Sequence, residues 1–117
     1  MALPPNKSKS LSWSIGSIVT HIMLVNTGVR LVAEQAIQNY CVSECLGLIK
    51  KEGLQYILNP RDETHTAIYM FKYSCMKDVI NFTLGKPYNK KALIHWINGK
   101  MFGYPDEEID EYISKNS

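Results

Sequence analysis

The sequence predicts an all-α fold, a single small domain of about five helices that closes with a helix, a Gly/Pro turn and a helix. Three observations carry this expectation. Apolar residues recur at steps of three and four through most of the chain. Seven glycines stand singly where such runs should end. Asn89 to Ser117 reads almost residue by residue as two amphipathic helices joined by Phe102-Gly103-Tyr104-Pro105-Asp106.

Residues 1–11, with Pro4, Pro5 and a Lys/Ser run, offer no apolar face and are expected to form a flexible tail ahead of one helical domain over 12–117. From Ser12 to Val25, Ile15, Ile18, Ile22 and Val25 make a helical stripe, although Ile18-Val19-Thr20 has the β-branching of a strand. Asn26-Thr27-Gly28 punctuates the chain. Beyond it Val29, Val32, Ala33, Ala36, Ile37, Tyr40 and Cys41 lead into Cys45, Leu48 and Ile49, predicting one long helix from Val29 to Glu52, weakened at Gly47 and stopped at Gly53. Leu54 to Leu58 is a short apolar segment ended by Asn59-Pro60.

Asp62 or Thr64 is a candidate cap for the next helix, whose stripe is Ile68, Phe71, Cys75, Val79 and Phe82, widened by Met76, Ile80 and Leu84. Thr66 to Tyr73 is also rich in strand-favouring residues, but the periodicity of the whole segment predicts helix up to Gly85-Lys86-Pro87. Asn89 then caps a helix with Leu93, Trp96, Ile97 and Met101 on one face. Gly103 suits a left-handed carboxy-terminal cap, with Tyr104 folding back as its apolar contact, and Pro105 prevents continuation. Asp106 is the expected cap of the last helix, which buries Ile109, Tyr112 and Ile113.

Composition limits function. At 117 residues, 45% hydrophobic and 21% charged, the chain is an ordinary globular domain and is not a disordered one. Its net charge of +2 comes from 13 basic and 11 acidic residues, and the only arginines are Arg30 and Arg61. So small an excess, with so few guanidinium forks, argues against nucleic acid as the main partner. Three cysteines, an odd number without the density of a secreted scaffold, suit a reducing cytoplasm. The longest apolar run, Ile15 to Val25, is too short to span a bilayer as a helix.

No motif of catalysis, metal binding or phosphate cradling stands out, and no cofactor is expected. Cys41 and Cys45 at i, i+4 would point two thiolates one way, but Cys75 would have to join them from elsewhere, and free cysteines are usually buried small hydrophobes. Among His21, His65 and His95, the last is the most suggestive as a general base, sharing a helix face with Lys91, Asn98 and Gly99. Seven tyrosines exceed what a small core takes in, and tyrosine is enriched at protein interfaces.

Tyr69, Lys72, Tyr73 and Lys77 are therefore the expected surface patch, and Lys91 and His95, on the side of the later helix away from Leu93, Ile97 and Met101, are further interaction residues. The leading expectation is a small cytoplasmic module, without membrane contact, that binds a larger protein or its own copy. Lysine far in excess of arginine, with many Asn, Ile and Tyr, suits an AT-rich genome. A phage-encoded inhibitor or adaptor acting on bacterial host machinery has that composition. A nucleic-acid-binding accessory factor using aromatics interleaved with lysines, and a small enzyme using His95, are the alternatives.

Overall fold

The computed structural model describes residues 5–84 and 91–115. Five helices surround a three-stranded antiparallel sheet, so the fold is α/β and the all-α expectation is corrected. In chain order the elements are α1 (Pro5–Asn26), β1 (Val32–Gln38), a 3-10 turn (Asn39–Cys41), α2 (Val42–Lys51), β2 (Gln55–Pro60), β3 (His65–Phe71), α3 (Met76–Leu84), α4 (Lys91–Met101) and α5 (Asp106–Lys115). The strand order is β1-β3-β2. Among the described residues no helix is long and apolar enough to cross a membrane.

The long helix expected from Val29 to Glu52 is two elements, β1 and α2, and the misreading has a physical cause. The sheet is covered on both faces, so β1 needs apolar side chains in both directions. Ala33 and Ile37 enter the core built with Ile18, Ile22, Val25, Cys45 and Ile49 of α1 and α2, while Val32 enters a second core with Phe71, Ile80 and Met101. Apolar neighbours at 32/33 and 36/37 repeat every four residues and imitate a helix. The central strand β3 is more extreme: Thr66 to Phe71 are all buried. A continuous apolar run carries no period that separates strand from helix, so the helix expected from Asp62 to Leu84 is β3 followed by α3.

Turn chemistry was read more securely than element type. Gly28, Gly53 and Gly103 all have positive φ, near 80°, where the sequence places chain reversals. At Gly103 the N–H donates to Lys100 O at 3.2 Å and the N–H of Tyr104 to Gly99 O at 2.9 Å, the paired bonds that close a helix around a left-handed residue. Tyr104 itself stays exposed, against expectation. Asp106 is a first-turn residue, not the cap: Pro105 O receives the N–H of Ile109 at 3.1 Å, and the Asp106 carboxylate takes Lys100 Nζ at 2.7 Å.

Asp62 caps no helix. It organises the β2–β3 hairpin, its Oδ1 accepting the N–H groups of Thr64 and His65, each at 2.8 Å. Helix α1 begins at Pro5, well ahead of Ser12. Asn89, the expected cap of α4, lies outside the described residues.

Candidate functional site

The most developed concavity lies between α4 and α5. It has a volume of about 630 Å³ and is lined by residues that include His95, Asn98, Phe102, Glu108 and Tyr112. Local sequence explains its shape. Gly99 removes a side chain where the helices cross, and a Cβ there would stand 2.5 Å from Ile109 Cγ1. Ile109 is buried at that contact, and Phe102 and Ile109 give the cleft an apolar floor.

Its rim is polar and aromatic. Tyr104 and Tyr112 are 54% and 52% exposed. The His95 ring meets Tyr112 edge-on, with centroids 4.9 Å apart and planes at 79°. Glu111 is paired with Lys115 at 2.7 Å, whereas Glu108 has no ion-pair partner among the described residues. His95 Nε2 is buried without a hydrogen-bond partner among the described residues. A histidine set up as a general base would be oriented by a carboxylate or carbonyl, and among the described residues no such bond to His95 is present.

The other expected residues do not come together. Tyr69 lies on β3, only 5% exposed; Arg61 donates to its hydroxyl at 3.2 Å and also pairs with Glu34 across the strand. Burial first, then the Glu34 carboxylate, push the Tyr69 phenol up to about 12. Its ring packs in the second core with Val32, Phe71 and Ile80, and its hydroxyl ends in the polar group with Arg61 and Glu34. Lys72 and Tyr73 follow β3 and are exposed, lining a small recess with Arg30 and Gly28. Lys77 is exposed on α3, and Lys91 opens α4. Of the five whose side chains are described, His95 alone lines the α4–α5 cleft.

Among the described residues, lysine–aromatic contacts are scattered over four places: Lys7 on Tyr40, Lys50 on Tyr56, Lys72 on Tyr73 and Lys100 on Trp96. A strand-tracking groove for nucleic acid would align them along one path. Cys41 and Cys45 are buried among Ile18, Ile22 and Ile49, and burial together with the Cys41 and Glu44 charges raises the Cys45 thiol to about 11. Cys75 is exposed, and no group of three or more potential metal ligands occurs among the described residues.

Sequence reasoning assigned Tyr104 and Tyr112 to folding and so missed their place on the cleft. The available signal was Gly99, a glycine inside an amphipathic helix and four residues after His95, which marks a close approach of another element. No family model and no curated protein matches this sequence.

Proposed function

We propose that the chain is a protein-interaction module that receives a segment of a larger protein in the α4–α5 cleft. The observation that carries this reading is the composition of that cleft: an apolar floor of Phe102 and Ile109 under a rim of two half-exposed tyrosines. Tyrosine gives a wettable apolar contact with little side-chain entropy to lose, the property that enriches it at interfaces. Leu93 and Trp96 of α4 are exposed as well and extend the apolar character of the same helix.

The test is quantitative capture from the native cell with two baits, the wild-type chain and Tyr104→Ser/Tyr112→Ser. The reading expects a protein retained by the wild type and lost with the double variant, whose circular dichroism and melting are unchanged. Identical captured sets, or a monomer with nothing bound under gentle conditions, overturn it.

A further inference from the structure

The hairpin of α4 and α5 shows how this chain holds a cation. The Lys100 ammonium lies 5.8 Å from the centre of the Trp96 ring and 2.7 Å from a carboxylate oxygen of Asp106. The ring face attracts positive charge, and the carboxylate at the start of α5 gives it a direction. The α4–α5 cleft repeats these two ingredients. Tyr104 and Glu108 both line it, four residues apart across the turn into α5, and both are exposed. Among the described residues neither has a cationic partner.

Folding does not use up the Glu108 side chain. Pro105 O receives the N–H of Ile109, which makes Pro105 the cap of α5 and Glu108 its third helical residue. A glutamate at that position ordinarily turns back to the main-chain N–H of the cap. Proline has no N–H to offer, so this bond is closed to Glu108 and its carboxylate stays with the cleft.

His95 aside, the charged groups on the cleft lining are Glu108, Glu111 and Lys115. Glu111 and Lys115 are paired at 2.7 Å, so Glu108 sets the sign. The rest of α5 strengthens it: five of the chain's eleven acidic residues stand in this ten-residue helix, although the net charge of the chain is +2. An acidic peptide or a nucleic-acid backbone would meet this field with the wrong sign. A purely apolar segment would cover Glu108 without replacing the water it loses.

Resting on the docking role proposed for this cleft, we infer that the segment it receives carries a basic residue beside an apolar one. The apolar side chain lies on the floor of Phe102 and Ile109, and the cation lies against Tyr104 with Glu108 as its ion partner. Affinity then comes mainly from the covered floor. The ion pair is a rim pair in contact with water, so it chooses among segments more than it holds them.

The test is selection of short random peptides, displayed on phage, against the immobilised full chain, followed by binding measurements on the synthesised winners. Peptides retained by the wild type and not by Tyr104→Ser/Tyr112→Ser are expected to share a lysine or arginine next to an apolar residue. Replacing that basic residue by glutamine should weaken binding about tenfold, and Glu108→Gln about threefold. Glu108→Lys, with unchanged circular dichroism, should select acidic residues at the same place. Cleft-dependent peptides with no basic residue, or ones indifferent to Glu108→Lys, overturn the inference and leave the docking role standing. Winners that need Glu108 and tolerate the loss of both tyrosines also overturn it, since they put the cation on the outside of α5. Self-association in sedimentation that Glu108→Lys abolishes would make the occupant a second copy and overturn it too. Absence of any cleft-dependent peptide overturns the inference and the docking role together.

Discussion

Gly99 of α4 and Ile109 of α5 are fitted to each other: the space that a Cβ on Gly99 would need is already held by Cγ1 and Cδ1 of Ile109, at 2.5 and 2.7 Å. α5 buries Ile109 and packs chiefly on α4, so this contact fixes the angle of the cleft. Gly99→Ala is expected to cost about 1–3 kcal/mol from overpacking, more than the ~1 kcal/mol an alanine gains in a helix interior. Faster amide exchange confined to α5 would report the loss. In a double-mutant cycle, Ile109→Ala should cost less in the Gly99→Ala background than in the wild type.

Gly103 is constrained twice. Its φ is +81°, and a Cβ would lie 2.8 Å from Val29 O, where Gly28 and Gly53 have similar φ but open space around them. Gly28→Ala and Gly53→Ala are expected to cost about 1 kcal/mol each from the left-handed conformation. Gly103→Ala should exceed either, by roughly 1 kcal/mol or more, because a backbone carbonyl cannot step aside like a side-chain end. Urea unfolding of the three variants gives the ranking, and an equal cost for all three would remove the contact with Val29 from the account.

His21 makes stability depend on pH in the mildly acidic range. Burial first, with the Arg30 charge assisting and the Gln35 hydrogen bond opposing, lowers its pKa below 6.5. The unfolded chain therefore binds the proton more readily than the folded one. Its stabilising contribution is complete above the unfolded value and is lost as pH falls toward the folded one. His21→Gln should flatten that part of the profile, measured by denaturant midpoints at a series of pH values.

Asp62 acts in a lower window. The Thr64 amide and hydroxyl and the His65 amide hold its carboxyl at about 2, below the ordinary 3.8. The sign is that of a depressed acid: the contribution is present above 3.8 and disappears as pH falls toward about 2. Asn at this position keeps an acceptor for the hairpin turn and removes the titration. Asp62→Asn is expected to abolish the acid-limb slope there while the β2–β3 hairpin remains formed.

The thiols should separate by reactivity. Cys75 is exposed, whereas Cys41 and Cys45 are buried. A thiol reagent near neutral pH should modify Cys75 first and reach the other two on the timescale of unfolding, since both access and the raised Cys45 pKa oppose thiolate attack. Peptide mapping of the early product identifies the site.

Read alone, the sequence marks the reversals at Gly28, Gly53 and Gly103 and the helical stripe from Ser12 to Val25 that lies within α1, together with the helices of the α4–α5 hairpin. Glycine, proline and asparagine act through the local backbone, so Gly28, Gly53 and Gly103 are legible from neighbours in sequence alone. It also brought His95, Asn98 and Gly99 onto one side of α4. Whether 32–38 and 65–71 are strand or helix is settled by packing, because their apolar pattern is set by layers above and below the sheet that are distant in sequence. The same holds for Tyr69, which periodicity placed at the surface and cross-strand pairing with Glu34 and Ile57 placed inside. A local pattern records how many faces of an element are buried; which elements do the burying is fixed when the chain packs.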